Sequence, residues 1–169
     1  PVVVGRDISI KAVEHALKNN KEIFVTAQKS IDIENPGPED LFTIGTRGLI
    51  LQSPRMPNGT LKIFVEGVVR AQVEEFIEGE EFLSALTSDI TPEEPIKSSE
   101  RAAVWRNLIA LFKEYAELNE KVSTDILSLF KGPDDLDYLT DTIAVQINLD
   151  LYERQSLLEM SKVIDRGLK

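Results

Sequence analysis

The sequence predicts an α+β fold in which a small, bent β-sheet or partial barrel carrying one helix is followed by a helical bundle. Three stretches predict it. Asn58-Gly59 accepts the two positive φ angles of a type I′ hairpin turn, and it lies between two apolar-rich runs, 48–56 and 61–69. From Val104, apolar residues recur four, three, four and three apart through Leu108, Leu111, Tyr115 and Leu118, with Trp105, Ile109 and Phe112 beside them, which is the period of a long helix with a wide buried face. Between the two, Thr91-Pro92-Glu93-Glu94-Pro95-Ile96-Lys97-Ser98-Ser99 has the prolines and charge of an extended connection. The expected division is a β-rich part over 1–90, a linker over 91–99 and a helical part over 100–169.

Each element has its own local reason. Pro1-Val2-Val3-Val4-Gly5-Arg6 is apolar from its first residue and reads as the edge of a strand or loop already inside a fold. In 7–19, Ile10, Val13 and Leu17 share one face of an amphipathic helix, with Asp7 or Ser9 as its cap. A strand is expected over 22–28, rich in β-branched and aromatic residues, and a loop over 30–40, which holds Asn35-Pro36-Gly37-Pro38. Further strands are expected over 41–45, 46–54, 60–66, 70–78 and 81–88, the last two joined around Gly79. Past the long helix, short helices are expected over 123–130, 134–146 and 151–160. Gly132-Pro133 stops one and starts the next, because glycine accepts a left-handed cap and proline suits a first helical turn. The segment 161–169 reads as the root of a further helix.

Composition removes several function classes. There is no cysteine, hence no disulfide framework and no thiolate nucleophile. The 19 basic and 29 acidic residues leave a net charge of -10, which repels phosphate backbones, so nucleic acid is not an expected partner. No apolar run approaches the roughly 18–20 residues that cross a bilayer, and no leader pattern precedes a cleavage site, so a soluble cytoplasmic protein without membrane contact is expected.

Catalytic candidates are few. His15 is the only imidazole, it lies beside the apolar stripe of a helix, and it reads as a surface or boundary residue. A zinc site would need three or four carboxylates or water, and no phosphate-binding Gly-x-x-x-x-Gly-Lys-Ser/Thr loop is present. The glycines of Gly45-Thr46-Arg47-Gly48 read as strand bends instead. The acidic clusters Glu74-Glu75, Glu80-Glu81, Glu93-Glu94 and Asp134-Asp135 miss the spacing of a calcium loop and read as solvated faces. No catalytic, cofactor-binding or metal-binding residue is assigned.

Binding has a better candidate. A two-residue turn at Asn58-Gly59 makes Met56 and Leu61 cross-strand partners, with Pro54 and Ile63 behind them and Arg55 opposite Lys62 on the other face. Pro54, Met56, Leu61 and Ile63 are therefore the expected substrate-binding residues. The competing reading packs this same face into the β core.

The run Val65-Glu66-Gly67-Val68-Val69-Arg70-Ala71, just after Met56-Pro57-Asn58-Gly59-Thr60-Leu61-Lys62, resembles the amino-terminal domain of the ATP-dependent Lon proteases. Ala27-Gln28-Lys29, Asp40-Leu41-Phe42-Thr43-Ile44-Gly45-Thr46, Leu139-Thr140-Asp141-Thr142-Ile143-Ala144 and Arg154-Gln155-Ser156-Leu157-Leu158-Glu159 repeat the resemblance in order. It implies the same two parts. It further implies a fragment of a protease whose ATPase, using ATP and Mg, and whose Ser-Lys peptidase lie outside this chain, so Lys29-Ser30 and Ser161-Lys162 carry no catalytic weight. The implied function is non-catalytic: binding of unfolded, damaged or degron-bearing proteins and support of a homo-oligomeric ring. The family's opening region also holds a first strand that this sequence lacks. Two other classes remain open at this point, a free-standing adaptor or small-ligand receptor and an RNA-binding module, and charge argues against the second.

Overall fold

A computed structural model describes residues 1–79, 81–91 and 97–169. The chain divides into two compact units, Pro1–Thr91 and Pro92–Lys169. Most of the expected linker, residues 92–96, lies outside the described residues.

The first unit is an open antiparallel sheet backed by one helix. Its strands are β1 (Val2–Val4), β2 (Glu22–Val25), β3 (Ile44–Gln52), β4 (Leu61–Glu78) and β5 (Leu83–Asp89), and its helix is α1 (Asp7–Lys18). The sheet order is β1-β4-β3-β2, and β5 pairs with the far part of β4. Four strand expectations collapse into two strands, because glycines that look like breaks are built into continuous ladders. Residues 60–66 and 70–78 are one strand, β4, in which Val68 is the extra residue between the pairs Gly48↔Gly67 and Arg47↔Val69. Gly48 is needed there, since a Cβ on it would sit 2.5 Å from the Glu66 carbonyl oxygen. Likewise β3 replaces the expected strands on either side of Gly45-Thr46.

The opening residues also form a strand. Val2, Val3 and Val4 pair with Ile63, Lys62 and Leu61, so part of the β4 edge is covered by this segment itself. Helix α1 lays Val13 and Ala16 against Val4, Ile50, Leu61 and Ile63, which together make the core of this unit. Its N-cap is Arg6, without a side-chain cap bond, and Asp7 falls in the first turn rather than at the cap.

The second unit is helical: α2 (Ser98–Glu117), α3 (Leu136–Gln146), α4 (Leu151–Glu159) and α5 (Val163–Leu168), with 3₁₀ turns at Thr124–Leu129 and Pro133–Asp135. Val104, Trp105 and Phe112 of α2 pack with Phe130, Leu136, Leu139, Ile143, Val163 and Ile164. Leu111 and Leu118 leave the buried stripe and are exposed, because the two 3₁₀ turns, α3 and α5 that pack on α2 cover a narrower arc than the apolar spacing offers. Gly132 is extended, at φ 170°, so it caps nothing in the left-handed region, whereas Pro133 opens the next turn as expected. Asp150 and Glu153 form a reciprocal capping box at the start of α4. The buried Arg166 of α5 donates to the Met160 carbonyl at 2.6 Å and pairs with Asp137 and Asp141 of α3, which locks this six-residue helix in place. Among the described residues no helix is long and apolar enough to cross a membrane.

A candidate polypeptide-binding face

The hairpin between β3 and β4 is wound one residue differently from the type I′ expectation. Pro57 presets the φ of a first turn position, so the turn runs Met56-Pro57-Asn58-Gly59, closed by the Gly59 N–H donating to the Met56 carbonyl at 2.9 Å. Gly59 alone is left-handed, at φ 86°, while Asn58 accepts from the Thr60 amide at 3.2 Å and from its hydroxyl at 2.8 Å. The loop is thus three residues long. Arg55 faces Leu61, the Met56 amide donates to the Thr60 carbonyl at 2.8 Å, and the Lys62 amide donates to the Pro54 carbonyl at 3.0 Å.

A one-residue change of register sends side chains to the opposite face. Leu61 and Ile63, expected beside Met56 and Pro54, are 4% and 2% exposed and belong to the core under α1. They are not a surface patch, which corrects half of the predicted site. Arg55 goes with them and pairs with Glu14 of α1 at 2.6 Å rather than facing Lys62. Pro54 and Met56 stay on the outward face, where Met56 is 41% exposed.

That outward face has members the sequence reading missed. Val3 lies opposite Lys62 across the β1–β4 ladder and is 68% exposed. Phe64 lies opposite Gln52, and Leu51, inserted at the register shift between Ile50 and Gln52, turns outward and is 59% exposed. The result is an apolar surface of Val3, Leu51, Pro54, Met56 and Phe64, with the Lys62 ammonium 5.5 Å from the Phe64 ring centroid. Val2-Val3-Val4 is apolar throughout, and only the pairing of β1 with β4 shows which valine faces outward. Nothing local marked Leu51, because a bulge is decided by both strands.

Elsewhere the geometry offers little chemistry. His15 is exposed, and its ring lies 4.8 Å from that of Phe82 at a tilt of 43°. The Lys29 ammonium donates to the Glu39 carbonyl at 2.7 Å. Among the described residues no cluster of three or more His, Cys, Asp or Glu is placed to hold a metal ion. A cavity of about 80 Å³ in the second unit, lined by Leu108, Ile143, Ala144 and Leu157 among others, has room for little more than a few waters.

An open antiparallel sheet with one helix and a separate helical unit define an α+β domain. Along its whole length, residues 1–169, the chain matches the family model described as the ATP-dependent protease La (LON) substrate-binding domain. It belongs to that family. The Lon protease of Haemophilus influenzae is 39% identical over 168 residues, and that of Escherichia coli K12 is 38% identical over 166, each alignment covering 98% of this chain. The chain spans about a fifth of the length of these curated relatives, 20% and 21% respectively. Among solved structures, the N-terminal domain of Mycobacterium avium complex Lon protease superposes with a TM-score of 0.69 at 20% identity, covering 99% of this chain and 86% of that one. A Lon N-terminal domain protein from Xanthomonas campestris gives 0.60 at 14%, covering 98% and 83%. At these identities the structures establish the shared fold.

Proposed function

We propose that this chain is the non-catalytic, substrate-capturing part of a cytoplasmic ATP-dependent Lon serine protease, that it binds unfolded or degron-bearing proteins, and that it supports the assembled ring. The observation that carries the reading is the outward face of Val3, Leu51, Pro54, Met56 and Phe64, an apolar surface on the sheet with a methionine at its rim. Apolar side chains are what unfolded chains expose and folded ones hide, and methionine adapts to many partners. Weak contacts suffice, because several copies on one ring multiply effective concentration. ATP and Mg belong to the ATPase of the parent chain, and that ATPase and the peptidase are the remaining expected partners.

The test is the triple change Val3→Ser, Leu51→Ser and Met56→Ser. Affinity for a permanently destabilised protein should fall about tenfold, while each exposed substitution shifts stability by about 0.5 kcal/mol. Unchanged affinity in a folded variant would reject this face as the capture surface.

A further inference from the structure

Lys62 stands in the middle of the outward face. Val3 flanks it across one ladder and Pro54 across the other, and its ammonium rides over Phe64 at 5.5 Å from the ring centroid. Among the described residues no carboxylate pairs with it, whereas Arg55, the other cation of the hairpin, is held by Glu14 on the opposite face at 2.6 Å. The chain as a whole carries a charge of -10, so a single ammonium set among apolar side chains reverses the local sign where a partner docks. We propose that this face selects apolar polypeptide segments that carry a carboxylate, and that Lys62 receives that carboxylate.

The inference rests on the capture reading above and names the substrate class of the same face. Apolar side chains of the segment settle on Val3, Leu51 and Met56. Their arrival removes water from around Lys62, which strengthens its attraction to an anion beyond that of a fully solvated pair. The Phe64 ring attracts the ammonium by its quadrupole and holds it on this face. An aspartate or glutamate side chain and a free chain end present the same group, so both sources fit.

Three labelled peptides of leucine, valine, phenylalanine and glutamine test this by fluorescence anisotropy on the 169-residue chain. One has a central aspartate and an amidated end, the second a central asparagine and an amidated end, and the third a central asparagine and a free carboxylate end. At low salt a carboxylate should tighten binding about fivefold over the neutral peptide, the upper range for a partly exposed ion pair. The gap, read as the ratio of charged-peptide to neutral-peptide affinity within each variant, should close in Lys62→Gln and in high salt and persist in Lys62→Arg. A gain with aspartate supports side-chain carboxylates as the source, and a gain confined to the free end supports chain termini. Equal binding of all three peptides overturns the role of Lys62 while leaving capture intact, as does a gap that survives Lys62→Gln. If none of the three binds, the capture reading falls and this inference with it.

Discussion

Leu61→Ala and Met56→Ser are five residues apart in sequence and lie on opposite faces of one hairpin. Leu61 loses packing against Val4, Val13 and Ile63, so its truncation should cost about 2–5 kcal/mol, the range of a buried leucine. Met56 loses contacts that water already shares, and its change should stay within about 0.5 kcal/mol. Denaturant titration of the two single variants decides it: equal losses would mean that the register of the hairpin is wrong. The same pair shows what could be read from the residues alone. Asn58-Gly59 correctly marks a hairpin, but the face assignment depends on whether the turn takes two residues or three. Pro57 decides that, because its fixed φ suits the position before Asn58 and leaves Gly59 as the left-handed residue. Pro54 and Met56 are exposed while Leu61 and Ile63 are buried, and a single register step separates the two faces.

At the scale of elements, legibility follows the range of the interactions involved. Helices α1 and α2 are visible because a 3.6-residue period is written within each segment; both ends of α1 and the end of α2 fall within one residue of the expected ones, while α2 starts at Ser98, six residues before the first apolar position of the stripe. The division of β3 and β4 is not visible, because a glycine in a strand signals a turn, a bulge or a close approach with the same letter. Gly48 is a close approach. Gly48→Ala should therefore cost about 3 kcal/mol, at the upper end for an inserted carbon, since the carbon meets main chain 2.5 Å away and the ladder must open to admit it. Gly132→Ala is the matched control: its backbone is extended and a Cβ there meets nothing within 4 Å, so little change is expected. Thermal melts of both variants check this, at roughly 4–8 °C per kcal/mol for a cooperative unit of 60–100 residues. A mild Gly48→Ala would show that β3 and β4 are farther apart than the ladder implies.

For the whole molecule, the family resemblance supplied what periodicity could not, namely that a sheet unit and a helical unit belong to one substrate-binding domain. Each unit is closed around its own core. Val4, Val13, Ala16, Ile50, Leu61 and Ile63 form the first, and Trp105, Phe112, Leu136, Leu139 and Ile143 with their neighbours form the second. Five strands with a covering helix exceed the minimum for an independent sheet, and the helical unit buries Leu136 and Leu139 completely. Residues 1–91 and 97–169, produced separately, should accordingly each retain native secondary structure and melt in a cooperative transition. Both units are near the size at which a core is only marginally sufficient, so the transitions will be broad and the margins a few kcal/mol. Circular dichroism with heating reads the transitions, and amide exchange tells a packed core from a collapsed one: the Ile50 and Ile63 amides should be the slowest in the first piece, those of Leu139 and Ile143 in the second. Exchange as fast as that of a random coil in either piece would show that its cluster cannot hold a fold alone, and would tie that unit's stability to the rest of the chain.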